Sequence, residues 1–283
     1  MPAAITHYFH GKTVAEKLAI TRSEAFTLGC QGPDFLFCHR FFPWQGGENI
    51  SEFGEFLHKT PPQALFARMQ ALAKEQANPL LREYLCGFLC HYALDRNCHP
   101  YVNTLANALF EADETQTRGI FHNEIESALD TIILRRETGK LPSEFKLQST
   151  MASGEELAAV LAPFFTELAR QYDWTNVTEA LIRQALRDAY FTFSLLQKGF
   201  LMPAAKLIEG KQRKLSCHFR PMLEDPAVDY ANVGENPWKH NRTGEERSVS
   251  FFTLMEEAAD DAAGLIGVFL ADEPLEALCD RPF

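Results

Sequence analysis

The sequence has 283 residues, 46% hydrophobic and 23% charged, a balance that supports a substantial core and excludes disordered, collagen-like and low-complexity chains. Its 27 basic residues against 38 acidic ones leave a formal charge of −11, which argues against non-specific attraction to a nucleic-acid backbone or an anionic bilayer. No window approaches the ~18 uninterrupted apolar residues of a membrane span, and the opening stretch MPAAITHYFHGKTVAEKL lacks the apolar run of a secretory signal. The seven cysteines are odd in number, and Cys86, Cys90 and Cys98 fall inside one amphipathic segment. Reduced thiols in a cytoplasmic protein are therefore expected, with a metal shared by Cys86 and Cys90 as the lesser alternative.

Taken in chain order, the periodic segments are helical. Residues 64–72 form a short one, and 80–101 (LLREYLCGFLCHYALDRNCHPY) a longer one in which Pro100 is expected to end the helix near His99. Phe121, Ile125, Leu129 and Ile132 then mark a helix through FHNEIESALD. Residues 154–172, 181–196 and 251–269 repeat apolar side chains at i, i+3, i+4, i+7. Pro and Gly cluster between them, at 32–33, 61–62, 139–142 and 223–244. Strand-like alternation is hard to find. The expectation is one all-α domain over residues 1–283, an irregular multi-helix bundle of about eight to ten helices.

The histidines carry the chemistry. His91, Asp95 and His99 are four residues apart in turn, which stacks them on one helix face. Four residues rise about 6 Å and eight about 12 Å, while a metal–nitrogen bond is about 2 Å. His91 and Asp95 can therefore share an ion, and His99 can contribute to another, with the two oxygens of Asp95 able to reach both. His122 and Glu126 repeat the i, i+4 spacing on the next helix. Imidazole with carboxylate suits zinc, manganese or iron. A ferritin-like di-iron site needs two Glu-x-x-His motifs, and only Glu55 to His58 fits; no His-Asp dipeptide occurs. Asp34, after Gly32-Pro33, reads on its own as a turn or cap residue, and His58 as a helix C-terminal residue favoured by the dipole.

The segments THYFHGK, LGCQGPDFLF, HYALDRNCHPY, FHNEIE and NPWKHNRTGEERSVSFFTLMEEA together resemble the zinc-dependent phospholipase C family, whose helical scaffold is shared by secreted phospholipases and single-strand-specific zinc nucleases. The resemblance implies one zinc on Asp34, His58, His91 and Asp95, and a second on His99, His122 and Glu126. It implies a third on His7, the shared Asp95 and the chain's amino terminus, with His10 competing with His7. Here the sequence opens Met1-Pro2, and removal of Met1 would leave the secondary amine of Pro2, a poorer match. Asp34 would orient or deprotonate the nucleophile. Two to three zincs would then activate water against a small phosphodiester or phospholipid head group. A nuclease ranks lower because no basic groove is legible, and a non-catalytic metal-binding protein on the same scaffold is the rival from another class. No basic amphipathic segment or targeting domain offers a way onto a bilayer. His39, His218 and His240 read as ordinary. Trp44, Trp174 and Trp238 read as core or rim packing, with Trp238 able to border a pocket, and Phe41-Phe42-Pro43-Trp44 reads as packing or a loop over the site.

Overall fold

Asn78 starts the longest element of the protein. In the computed structural model, which describes residues 3–42 and 44–283, its side chain accepts hydrogen bonds from the amides of Leu80 and Leu81 at 2.9 and 3.4 Å. Pro79 takes the first helical position, where its missing N–H is no loss. The helix runs Pro79–Ala112, 34 residues, about 51 Å at 1.5 Å per residue. It passes through Pro100 instead of ending near His99. A proline removes one backbone bond and strains the preceding turn. Beyond it, burial of Tyr101, Val102 and Ala106 in an apolar cluster outweighs that penalty.

In chain order the α-helices are α1 (Ala4–Leu18), α2 (Glu24–Gly29), α3 (Ser51–Lys59), α4 (Pro62–Gln76), α5 (Pro79–Ala112), α6 (Arg118–Thr138), α7 (Glu155–Arg170), α8 (Glu179–Leu196), α9 (Met202–Glu209) and α10 (Phe251–Leu270). The fold is all-α, at the upper end of the expected helix number. Strand among the described residues is confined to β1 (Trp238–Lys239) and β2 (Glu246–Arg247), an antiparallel pair in which Trp238 faces Arg247. Side-chain caps set several helix starts: Ser23 accepts from the Phe26 amide, Thr117 from Ile120 and Ser250 from Thr253.

Helix α5 is the axis, packed most extensively against α10, α2 and α6. Its approach to α2 is backbone to backbone, since a Cβ on Gly87 would lie 2.1 Å from the Phe26 carbonyl oxygen. Only glycine permits that separation. One apolar cluster surrounds the first half of α5, with Phe26, Phe35, Phe88 and Phe165 fully buried; a second surrounds its later half, with Leu94, Ile125, Leu129 and Leu254. His91, Asp95 and His99 therefore stand where two cores meet.

Three polar ties fix what surrounds that point. Asp130 on α6 accepts from the Thr6 amide and hydroxyl at 2.8 and 2.9 Å and from Arg220 Nε at 2.9 Å. It thereby holds the start of α1 at its positive end. Arg96 Nε donates to Asp261 Oδ2 at 2.6 Å, joining α5 to α10. The chain after α10 is then drawn back: Arg96 donates to the Leu278 carbonyl at 2.7 Å and Arg242 to that of Phe283 at 2.9 Å.

All seven cysteines are buried and reduced, and burial pushes Cys38, Cys86, Cys217 and Cys279 up to about 12. Cys86 and Cys90 belong to the apolar core. Trp174 packs on Phe53 and Phe56, and Trp238 is buried against Tyr101. Trp44 departs from the packing expectation: its indole stacks on Phe42 at 4.6 Å and is otherwise exposed. Pro43, between them, lies outside the described residues. No helix among the described residues is long and apolar enough to cross a membrane.

Candidate metal centre

Five elements deliver the eight candidate side chains to one place. His7 comes from α1, Asp34 from a 3-10 turn at Asp34–Cys38, and His58 from the end of α3; α5 and α6 supply the rest. The donors form three groups: His7, Asp34 and His91; His58, His91 and Asp95; and His99, His122 and Glu126. Within each, the nitrogen and oxygen atoms lie within 4.8 Å of one another. All eight residues singled out in the sequence belong to at least one group.

Asp95 is the hub. Its Oδ1 lies 3.3 Å from His7 Nε2 and 3.6 Å from His99 Nε2, while Oδ2 lies 3.2 Å from His91 Nε2. One carboxylate thus faces three imidazoles, as the helical spacing suggested for two of them. Asp34 Oδ1 is 3.0 Å from His58 Nε2, and Glu126 Oε1 is 3.2 Å from His122 Nε2 and 3.5 Å from His99 Nε2.

The donor set fits a cation such as zinc. His58 Nδ1–H donates to the Gly54 carbonyl at 2.8 Å, and His122 Nδ1–H to Asn103 Oδ1 at 3.1 Å. Each bond turns the Nε2 lone pair inward and fixes the ligating tautomer. A neutral His58 then aims a lone pair at the Asp34 carboxylate and at His91 Nε2, 3.4 Å away, a contact that is repulsive unless a proton or a cation lies between. Around a tetrahedral zinc with bonds of about 2.0–2.1 Å, neighbouring ligand atoms stand about 3.3 Å apart, and the closest donor pairs here, at 3.0–3.6 Å, approach that spacing. Asp34 Oδ2 and His91 Nδ1 are buried without a hydrogen-bond partner. Gly32 completes the cradle: its φ is +53°, and a Cβ there would lie 2.2 Å from the His91 ring.

The electrostatics report the same demand for positive charge. Burial disfavours the charge on Asp95, yet His91, His99 and His7 hold its carboxyl well below the usual range. Glu126 is likewise depressed, burial being outweighed by His122 and His99. His99 is pushed up to about 9, because Asp95 and Glu126 overcome its burial. His7 and His58 are raised against burial by Asp95 and Asp34 respectively. His91 goes the other way, to about 4, since burial wins there.

His10 joins none of the three groups; it is fully buried one turn beyond His7, and burial lowers it to about 3. The amino-terminal donor expected from Met1 and Pro2 lies outside the described residues. Of the histidines read as ordinary, His39 Nδ1 accepts from the Ile50 amide and His240 Nδ1 from the amides of Arg242 and Thr243. His218 is buried beside Phe41, with ring centroids 5.3 Å apart. Trp238 does border a groove of about 700 Å³ with Tyr101, but none of the eight donors lines it.

Sequence reasoning missed several supports. Asp130 continues the His122–Glu126 stripe by one more step of four, a signal that was present. Asn103 and Gly32 carry no spacing signal. Phe283 arrives from the far end of the chain: its ring lies 5.1 Å from that of His58 and 6.0 Å from that of His91.

Residues 6–175 match the family model described as zinc dependent phospholipase C. That span takes in all eight donors. No curated protein and no solved structure matches the chain.

Proposed function

The chain belongs to the zinc-dependent phospholipase C family, and on that premise we propose that it is a zinc-dependent phosphodiesterase, converting a phosphodiester and water into an alcohol and a phosphomonoester. The observation that carries this reading is the convergence of three donor groups linked through His91 and Asp95. Asp34, His58, His91 and Asp95 would hold one ion, His99, His122 and Glu126 a second, and His7 with Asp95 a third. Bound zinc supplies a lowered pKa for water and neutralises charge on the phosphoryl oxygens. Asp34 orients the attacking water, and its Oδ2, which makes no hydrogen bond, receives the proton lost as the new phosphorus–oxygen bond forms; the ester bond breaks and the leaving alkoxide takes a proton from solvent to depart as the alcohol. His99 and His122, with 21% and 25% of their side chains exposed, mark the side from which substrate enters. The anion is drawn by this local site while the molecule as a whole stays acidic. Seven buried, reduced cysteines support a reducing, cytoplasmic setting.

The test is turnover of a soluble aryl phosphodiester and a short-chain phosphatidylcholine by protein of known zinc content. Asp34→Asn should lower kcat by about 10²–10⁴-fold. Zinc-replete protein without turnover on either substrate overturns the proposal.

A further inference from the structure

Residues 198–214 invert the charge of the molecule. Lys198, Lys206, Lys211, Arg213 and Lys214 stand there against Glu209 alone, in a chain whose formal charge is −11. The single acid is turned inward, accepting from the amides of Leu215 and Ser216 at 2.7 and 2.8 Å. Arg213 is spent on Glu124 at 3.1 Å. Lys198, Lys206, Lys211 and Lys214 are exposed, and among the described residues none forms an ion pair.

The same segment carries the most exposed large apolar side chains of the described residues. Helix α9 is anchored by buried Ala205 and by Leu201 and Met202 against the main core. Leu207 and Ile208 are 86% and 73% exposed, and Phe200, just before the helix, 77%. Met222 and Leu223 are also exposed, and Met222 lines a small crevice with Gly199. Isolated exposed apolar residues are ordinary, but Phe200, Leu207 and Ile208 in one short stretch that also carries four exposed lysines are not. Lysines flanking projecting apolar tips match a surface that is anionic at its face and apolar just beneath it.

We propose that the ridge formed by Phe200, Leu207 and Ile208, with Lys198, Lys206, Lys211 and Lys214, docks the protein reversibly on an anionic phospholipid bilayer. The overall acidity of the sequence hides this segment, which the net charge alone would exclude. Helix α9 lies beside α6, since Met202 and Lys206 line a pocket with Phe121 and Glu124 of α6, the helix that also carries His122 and Glu126. The surface stands independently of catalysis. Its consequence for substrate, a phospholipid taken from such a bilayer, rests on the phosphodiesterase reading.

Flotation of the full chain with vesicles tests it, using phosphatidylcholine alone and phosphatidylcholine mixed with phosphatidylglycerol. Binding is expected to the mixed vesicles, with loss at about 1 M salt, where the Debye length is about 3 Å. Leu207→Asp with Ile208→Asp should weaken partitioning about 100-fold, about tenfold for each apolar side chain withdrawn. Lys206→Glu with Lys211→Glu should abolish the preference for phosphatidylglycerol. Both variants should keep the wild-type fold by circular dichroism and wild-type turnover of a soluble aryl phosphodiester. No binding by the wild type, binding unchanged in both variants, or loss of self-association as the sole effect of the substitutions overturns the proposal; the last outcome assigns the ridge to a second copy of the chain. Salt-sensitive, ridge-dependent flotation by a protein that hydrolyses nothing leaves the surface standing and removes the phosphodiesterase reading alone.

Discussion

The two ends of the donor cluster are built from the same chemistry and stand in opposite surroundings. At one end His7, Asp34, His91 and Asp95 expose 0–4% of their side chains, and His58 beside them 17%. Phe283 closes over that end, and Asp130 and Gly32 support it from behind. At the other end His99 and His122 expose 21% and 25%, and only Glu126 is buried. Charge at the sealed end has nothing but its partners to stabilise it, so those donors bear on folding. Charge at the open end can be satisfied by water, so those donors can exchange ligands. The difference separates holding an ion from presenting it.

The largest effect that would sharpen this contrast is on stability. His91→Ala empties a fully buried site between Asp34 and Asp95 and should cost about 2–5 kcal/mol in urea unfolding. His122→Ala, where solvent can enter, should cost about 1 kcal/mol or less. Equal losses would break the distinction.

Metal affinity comes next. Asn103→Ala removes the acceptor that orients His122 and should weaken zinc binding at the open end by about 10–100-fold in a chelator competition. Its unfolding midpoint should stay near that of the wild type. Unaltered affinity removes Asn103 from a positioning role.

The last contrast is in pH, read on zinc-free protein. Burial lowers His10 to about 3 and His91 to about 4, and places His218 well below its usual value. Their unfolded forms titrate near 6.5, so below that pH the unfolded chain binds protons that the native state refuses, and stability falls with acidification. Each group contributes up to about 1.4 kcal/mol per pH unit. His99 has the opposite sign. Raised to about 9 by Asp95 and Glu126 against its burial, it contributes stability that is complete below about 6.5 and lost as pH rises through about 9. His218→Gln should therefore flatten the acid limb, and His99→Gln the alkaline limb. A limb unchanged by its substitution contradicts the assignment.

How much of this could be read from the sequence depends on distance along the chain. The i, i+4 steps from His91 to His99 and from His122 to Glu126 are local, so helical geometry alone stacked them. His7, Asp34 and His58 meet those stripes only through tertiary packing, and they were named through the family resemblance. Pro100 misled because a local rule about helix ends was set against burial of the residues beyond it. Phe283 could not be placed, since nothing in a C-terminal segment announces that it folds back nearly two hundred residues onto His91. The basic ridge was hidden for the opposite reason: a sum over the whole chain erased a local excess of lysine.

The central claim is that the clustered imidazoles and carboxylates gather metal, and zinc content per chain measures it most directly. Elemental analysis of the native protein beside His91→Ala and His122→Ala should find about two to three zincs per chain, with each substitution lowering the number and His91→Ala lowering it further. A native protein free of zinc and indifferent to chelators, or a stoichiometry unchanged in both variants, would contradict it.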